Sequence, residues 1–395
     1  MRLSRMTALL AALVSAALSN HFALAEEAAT KAYQAFLAAK GEAPWINANA
    51  SHSLANDIFR PIPELNNFPA NAAKRDLGFS LFHDKSLSSD DSIACNTCHM
   101  GMKGGTDGLR LARGIGGAEG TRNTPTIFNS AFNFRQFWDG RAFDLDQQSL
   151  APLSNPVEMG HDLGIIMTKL EQNTAYVSQF NAAYPDGLTE RNLGNAIAQH
   201  SKDMTRTDSP FNDYLNGDTS ALSTQEIRGK QRFDQLGCTS CHNGINLGGN
   251  SYQAIAAKAV LAKMDLSEDL GVASRSQRQA DAALLKVPQL HNIALTAPYF
   301  HDGSVTNLED AIRTMAQNQA GRTLAENDVN DIAAFLRSLS SQFFNGGNRG
   351  MNQEQMRNSV RQQMPDKMPS EQHKHQHHMM HTPRENSANA ASEVQ

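Results

Sequence analysis

The chain has 395 residues, of which 40% are hydrophobic, and its formal net charge at pH 7 is −5. This length and composition suit two domains with hydrophobic cores. The acidic balance gives no indication of nucleic-acid binding, and no basic amphipathic stretch predicts binding to a membrane surface.

Residues 1–25 predict a secretory signal peptide. Arg2 and Arg5 make a basic start, residues 9–18 are an apolar core, and Ala23-Leu24-Ala25 is typical of a cleavage site. The apolar run is too short for a permanent membrane-spanning helix. We therefore expect a mature chain that begins near Glu26, has no membrane span and lies in the bacterial periplasm. An uncleaved N-terminal anchor is the alternative.

The segment between this cleavage site and the first cysteine predicts a helix over residues 27–40, because it is rich in alanine. Residues 77–83 then lead toward the first cysteine and end in His83. This histidine is a candidate metal ligand, and an exposed or structural histidine is the alternative.

Two short motifs use all four cysteines of the chain. Cys95-Asn96-Thr97-Cys98-His99 and Cys238-Thr239-Ser240-Cys241-His242 have the spacing C-x-x-C-H, which is the attachment pattern of haem c. Two thioethers hold the porphyrin, and His99 or His242 then supplies the proximal iron ligand. A redox-active cysteine pair or half of a zinc site is the alternative, which the histidine after each pair disfavours.

A glycine-rich segment over residues 101–120 predicts an irregular loop of the kind that can wrap the edge of a haem. An aromatic cluster follows it: Phe132, Phe134, Phe137 and Trp138. Helices are predicted from about residue 163 to 180 and from 189 to 202. The polar segment 203–219 is the predicted domain boundary.

The second half begins with Ser223-Thr224-Gln225-Glu226, a capping box that predicts a helix leading to Cys238. Thr323-Leu324-Ala325-Glu326 is a second predicted capping box. The helix after it places these apolar residues on one face: Val329, Ile332, Phe335, Leu336 and Leu339. Strand signals are almost absent, and both halves combine a helix, a C-x-x-C-H motif and a loop. We expect a mostly α fold with two cytochrome c-like domains, residues 26–210 and 211–345, each with one covalent haem c.

Residues 346–395 form a tail without apolar periodicity, which predicts disorder. The tail is rich in methionine and histidine and includes the run His373-Lys374-His375-Gln376-His377-His378. Thioether and imidazole are ligands that soft copper ions favour. Copper binding is one prediction for this tail, and a solvated low-complexity segment is the alternative.

With these motifs the chain resembles the bacterial di-haem cytochrome c peroxidases and their MauG-type relatives over residues 77–339. The resemblance also rests on further signatures along the chain: Arg122–Thr126, Phe137-Trp138-Asp139-Gly140-Arg141, Val157-Glu158-Met159-Gly160, Val287-Pro288 and Pro298-Tyr299-Phe300-His301-Asp302-Gly303. It implies an electron-transferring oxidoreductase with two covalent haem c groups.

The resemblance places the peroxide site at the haem bound through His99. Glu158 matches the distal glutamate of the family, which moves a proton between the peroxide oxygens while the bond between them breaks. A partly dry pocket that raises the pKa of the carboxyl group suits this role. Gln148 and Pro152 match pocket residues of MauG-type enzymes, and His161 is a further candidate. An ordinary surface carboxylate is the alternative for Glu158.

At the haem bound through His242, the resemblance implies a second axial ligand. Met315 matches the methionine of the peroxidases, where MauG-type enzymes carry a tyrosine; a core methionine is the alternative. Ligation by histidine and methionine raises the reduction potential and suits electron uptake from a soluble donor. Trp138 matches a tryptophan set between the haems. A calcium site between the domains is implied at three further positions: Asn123, Thr296 and Pro298.

One position departs from the peroxidase pattern. Ile115 stands where these peroxidases carry a distal histidine that closes the resting peroxide site, and residues 109–120 contain no histidine. MauG-type enzymes also lack this histidine. We therefore predict an open site at the first haem together with a peroxidase-like Met315 at the second.

Three functions compete at this point. The leading prediction is a periplasmic peroxidase that reduces hydrogen peroxide to water with electrons from a small cytochrome c or cupredoxin. The alternative is a MauG-like oxidase that uses peroxide to oxidise Trp or Tyr residues of a partner protein, which Ile115 and the tail favour. A plain electron carrier is disfavoured by the Glu158 and Trp138 motifs. A homodimer is a further prediction for the assembly.

Overall fold

The computed structural model describes residues 58–63, 72–254, 270–278 and 281–344. The predicted signal peptide, the predicted helix over residues 27–40 and the tail from residue 346 lie outside these ranges. Within them, no helix is both long enough and apolar enough to cross a membrane.

Helices dominate the described ranges, which confirms the prediction of a mostly α fold. They are α1 (Ala72–Phe82), α2 (Cys95–Cys98), α3 (Leu145–Ser154), α4 (Leu163–Gln172), α5 (Thr174–Ala183), α6 (Glu190–Asp203), α7 (Pro210–Leu215), α8 (Thr224–Gln235), α9 (Ala273–Ser276), α10 (Leu308–Ala320) and α11 (Glu326–Ser338). The 3₁₀ turns are Lys85–Leu87, Gly101–Lys103, Ile115–Gly117, Ser130–Phe132, Cys238–Ser240, Ile293–Leu295 and Gln342–Phe344. Strands β1 (Tyr252–Ala254) and β2 (Leu284–Lys286) pair antiparallel, with Tyr252 opposite Lys286.

A first hydrophobic core lies around α1 and α6. These helices cross at Gly78, where a Cβ atom would collide with the carbonyl oxygen of Ala196. The core includes these buried side chains: Leu77, Leu81, Leu153, Ile166, Phe180 and Leu193. Cys95 packs against its edge, so the first C-x-x-C-H motif is supported by this core.

A second core is built on aromatic contacts between α7, α8 and α11. The ring centroid of Phe335 lies 5.1 Å from that of Phe211 and 5.5 Å from that of Phe233, in edge-to-face geometry. Phe59, which precedes α1 in the chain, joins this core at 5.5 Å from Phe211. Cys238 packs against the cluster, so the second motif has its own support.

The predicted helix over residues 163–180 is wrong as a single element. Asn173 separates α4 from α5, and its side chain accepts hydrogen bonds from the backbone N–H groups of Ala175 and Tyr176. A side-chain oxygen at this position caps the start of a new helix. The predicted helix over residues 189–202 is confirmed as α6, within one residue at each end.

The two predicted capping boxes have different outcomes. The backbone N–H of Ser223 donates to Glu226 at 2.6 Å and the Ser223 hydroxyl accepts from the N–H of Glu226, so the first box is confirmed. The second is wrong, because α11 has Ala325 at its N-cap with no side-chain hydrogen bond. The Glu326 carboxylate instead accepts a hydrogen bond of 2.8 Å from Arg313 on α10.

The polar segment 203–219 is more ordered than its composition indicates. It contains α7, whose Phe211 and Leu215 are fully buried in the second core. Ser209 caps this helix, and Pro210 occupies its first turn, where a missing N–H group costs nothing. The predicted division of the chain at residue 210 remains a prediction.

Candidate functional site

The two motif histidines have the same local geometry. The Nδ1 atom of His99 lies 3.1 Å from the carbonyl oxygen of Gly105, and that of His242 lies 3.1 Å from the carbonyl oxygen of Leu247. Because a carbonyl can only accept, Nδ1 carries the proton and Nε2 presents its lone pair, as a metal-binding imidazole requires. Burial lowers the pKa of both histidines, which keeps them in the neutral, ligating form.

The motif cysteines do not resemble a redox pair. None of the four forms a disulfide. Burial raises the pKa of Cys95 and Cys98 to about 12 and that of Cys238 to about 11. Redox-active cysteines depend on a lowered thiol pKa, so the redox-pair alternative is disfavoured. The described ranges also contain no group of three or more His, Cys, Asp or Glu residues that could hold a metal ion.

Glu158 lies beside the first motif, in the turn after α3. Its carboxylate interacts electrostatically with the Cys95 and Cys98 side chains. Burial raises its pKa, while a 2.6 Å hydrogen bond from Asn155 Nδ2 and the charge of Arg141 act in the opposite direction. The carboxyl group therefore has the partly dry environment that suits a proton-transfer group.

The glycine-rich loop packs on the segment that carries Glu158. The backbone N–H of Ile115 donates to the carbonyl oxygen of Glu158 at 2.9 Å, and the Ile115 side chain lies against Gly160, where a Cβ atom would collide with it. The Cys98 sulfur lies 3.9 Å from the carbonyl oxygen of Arg113. The loop that lacks a histidine is thus placed between the first motif and Glu158.

The other candidates of the first site lie on or near α3. Gln148 and Pro152 are on this helix, and the Pro152 carbonyl accepts a hydrogen bond from the N–H of Met159, next to Glu158. His161 is 9% exposed, and its N–H donates to Leu153. The roles of these residues remain predictions.

His83 is exposed and contacts a different group of side chains. Its Nδ1 atom lies 2.8 Å from the carbonyl oxygen of Phe79, and its ring packs on the Phe79 ring at 4.2 Å. The ring of His200 is 5.5 Å away. These contacts favour the alternative of an exposed histidine.

Trp138 connects the two halves of the chain. Its indole N–H donates to the carbonyl oxygen of Asn123 at 2.9 Å, and its own carbonyl accepts from the backbone N–H of Lys286 at 2.7 Å. The backbone N–H of Asn123 in turn donates to the carbonyl oxygen of His301 at 2.7 Å. Trp138, the Asn123 segment and the His301 segment therefore meet in one place.

Met315 continues an apolar stripe on α10. Leu308, Ala311 and Ile312 are buried in the second core, and Met315 follows Ile312 on the same face, at helical spacing. Unlike them, Met315 is only half-buried and is not part of the core cluster. The role of Met315 as an axial ligand remains a prediction.

The chain is similar to known families and proteins. The family described as di-haem cytochrome c peroxidase matches residues 72–220, and the cytochrome c family matches residues 227–340. Cytochrome c551 peroxidase of Pseudomonas aeruginosa is 40% identical over 76% of this chain and 89% of its own length. The chain belongs to the di-haem cytochrome c peroxidase family. Membership makes this chain a peroxidase-type oxidoreductase with two haem groups, and the two C-x-x-C-H motifs are their attachment sites.

Two further comparisons support the assignment to the di-haem cytochrome c peroxidase family. Cytochrome c peroxidase Ccp of Escherichia coli is 42% identical over 73% of this chain, and the match spans 62% of that protein. A crystal structure of a MauG-like protein associated with microbial copper homeostasis has a TM-score of 0.60 and 25% identity, and the match covers 72% of this chain and 93% of that one.

Three features of this di-haem peroxidase were not found from its sequence. Asn155 is the hydrogen-bond donor to Glu158, Asp139 joins Arg122 and Arg141 through contacts of 2.9 and 3.1 Å, and Lys286 is almost completely buried. Asn155 had a usable signal in the sequence, because it lies only three residues before Glu158. No feature of the sequence indicated the burial of Lys286.

Proposed function

We propose that this di-haem peroxidase reduces hydrogen peroxide to water in the periplasm, with electrons from a small cytochrome c or cupredoxin. The observation that carries the proposal is Glu158, a carboxyl group whose pKa is raised by burial and that lies beside the first C-x-x-C-H motif. A proton acceptor with a pKa nearer to neutral is more effective in general acid–base catalysis. The periplasmic location follows from the predicted signal peptide.

Cys95, Cys98 and His99 would hold the first haem, which would supply redox-active iron for the reaction with peroxide. Glu158 accepts a proton from one peroxide oxygen and returns it to the other. Asn155 holds the carboxylate in place through its 2.6 Å hydrogen bond. Gln148 and Pro152 on α3 line the same side of the site in this proposal.

In this proposal electrons enter at the second haem site. His242 and Met315 would hold the second haem, and ligation by imidazole and thioether would give that haem a reduction potential suited to a soluble donor. Trp138 provides a path between the two halves, because its indole and its backbone contact one segment from each.

A calcium ion at Asn123, Thr296 and Pro298 is part of the proposal. The Asn123 amide nitrogen donates to the carbonyl oxygen of Leu109 at 2.8 Å, which directs its side-chain oxygen to the opposite side. Amide and backbone oxygens are the ligands that calcium prefers. The cation would join the Asn123 segment to residues 296–298, and so hold the segments around Trp138 together.

A second function is favoured by the Ile115 loop. A site without a distal histidine reacts with peroxide without prior reduction, as a MauG-like oxidase of Trp or Tyr residues requires. The MauG-like protein of the related crystal structure is associated with microbial copper homeostasis. The tail of this chain carries methionine and histidine residues, which are ligands that soft copper ions favour. We therefore keep maturation of a copper-binding partner protein as the second candidate.

One experiment separates these functions and tests Glu158. Peroxide consumption by the diferric holoenzyme is measured with and without a reduced cytochrome c or cupredoxin, for the wild-type chain, Glu158→Gln and the control Glu119→Gln. Glu119 is an exposed carboxylate paired with Arg113 at 3.3 Å. We expect donor-dependent consumption that falls by roughly 10²–10⁴-fold only in Glu158→Gln, because the amide cannot accept a proton.

Two results would contradict the proposal. Near-normal turnover of Glu158→Gln would move proton transfer to His161 or to water. Consumption that needs no donor, and that is accompanied by oxidised Trp or Tyr residues on a copper-binding protein, would favour the MauG-like oxidase.

A further inference from the structure

Lys286 is a buried cation that the proposed reaction has not used. It ends β2 and is 7% exposed. Burial is the only influence on its pKa, which falls to about 8, and no carboxylate of the described ranges pairs with it. Burying an ammonium group without a counter-ion is unfavourable. We therefore expect a lysine at this place to pair with an anion.

The neighbouring cations show what is different about Lys286. Arg122 and Arg141 both bind the Asp139 carboxylate, next to Trp138. Arg275 donates to the backbone carbonyl of Asp139. Each of these guanidinium groups has an acceptor from the chain itself, whereas the Lys286 side chain has none among the described residues.

The two halves of the chain place equivalent residues around their motif histidines. In the first half, Asn123 lies two residues before Pro125, whose carbonyl contacts the His99 ring. In the second half, Lys286 lies two residues before Pro288, whose carbonyl contacts the His242 ring. Lys286 therefore occupies, at the second haem, the position that Asn123 occupies at the first.

Trp138 contacts both of these equivalent positions. Its indole N–H donates to Asn123, and its carbonyl accepts from Lys286. The Lys286 backbone is thus fixed beside Trp138, two residues before the proline whose carbonyl contacts the His242 ring. The anions that a bound haem c brings to such a place are its two propionates.

We propose that Lys286 is the counter-ion of a propionate of the haem held by His242, and that its positive charge raises the reduction potential of that haem. The lysine is a positioning residue, since it acts through the propionate and not on peroxide. The inference rests on the proposed function only in taking the His242 haem as the point of electron uptake.

Spectroelectrochemical titration of the holoenzyme tests this inference without measuring turnover. Lys286→Met is compared with the charge-conserving Lys286→Arg and with Lys169→Met, which removes an exposed lysine paired with Asp91. Loss of a buried unit charge should reduce the equilibrium constant for reduction of the His242 haem about tenfold, a fall of about 59 mV for a one-electron couple. Lys286→Arg should lie close to the wild type, Lys169→Met should match it, and the His99 haem should not change.

Unchanged potentials in Lys286→Met, or a shift confined to the His99 haem, would overturn the assignment. If Lys286→Met fails to fold or to attach haem, resonance Raman spectra of the half-reduced wild-type protein decide instead. A propionate bending band of the reduced haem should shift on transfer to D₂O if the propionate is bound by an exchangeable ammonium group. A band that does not shift would refute the pairing. Because neither measurement uses peroxide, a failure here is distinct from a failure of the peroxidase proposal.

Discussion

Replacement of Asn155 by alanine tests whether Glu158 acts as a proton acceptor. Asn155 donates a 2.6 Å hydrogen bond to the Glu158 carboxylate and so favours its ionised form. A hydrogen bond to a charged group contributes about 1.5–3 kcal/mol, and one pKa unit corresponds to about 1.4 kcal/mol. Since Arg141 remains in place and still stabilises the carboxylate, we expect the pKa to rise by about one unit.

The sign of the effect on activity follows from this direction. Burial already raises the pKa of Glu158 above its ordinary value, so the acceptor is lost by protonation as the pH falls through that raised pKa. The Asn155→Ala change raises the pKa further. The acidic limb of the profile of kcat/KM against pH should therefore move to higher pH by about one unit, with little change on its alkaline side.

The assay is steady-state peroxide reduction over a range of pH, with a saturating electron donor. Asn195→Ala is a matched control, because Asn195 donates to the Asp146 carboxylate at 2.9 Å in the same way but lies on α6. An acidic limb that stays at the wild-type position in Asn155→Ala would refute the proton-acceptor role. A limb that moves equally in Asn195→Ala would show a general effect of stability.

Three further predictions concern the second ligand, the open site and the second core. Met315→Ala should abolish the low-spin His/Met signal of the second haem and lower its potential; survival of the near-infrared sulfur-to-iron band would exclude Met315 as the ligand. Electron paramagnetic resonance of the isolated protein should show one high-spin and one low-spin ferric haem, and Ile115→His should make activity depend on prior reduction. Two low-spin haems in the wild type would contradict the open site. Phe335→Ala should lower the free energy of unfolding by about 3–5 kcal/mol in a denaturant titration. The control Phe79→Ala should lower it far less, because the Phe79 side chain is exposed.

The haem motifs and much of the helical pattern could be predicted from the sequence because they depend on neighbours along the chain. The spacing of Cys95, Cys98 and His99 brings two sulfur atoms and an imidazole together within one turn. The Ser223 capping box is local in the same sense. The apolar face of α11 follows from helical spacing alone, and its residues are buried as expected.

The local predictions that failed did so where two elements compete for the same residues. Asn173 caps α5, so a continuous helical pattern becomes two helices. Glu326 is held by Arg313 of α10 rather than by its own backbone, because a charged partner from another helix replaces the capping bond. Sequence spacing does not record such partners.

Only the tertiary structure decided the electrostatics of the site. Glu158 is recognisable by its motif, but its pKa is raised by burial against the Ile115 loop and is held back by the charge of Arg141, and both contacts come from residues distant along the chain. Nothing in the sequence distinguishes Lys286 from a solvent-exposed lysine. In the folded protein β2 lies beside Trp138, and Lys286 is buried there. Desolvation depends on everything that surrounds a group, and those surroundings come from parts of the chain that meet only in the folded protein.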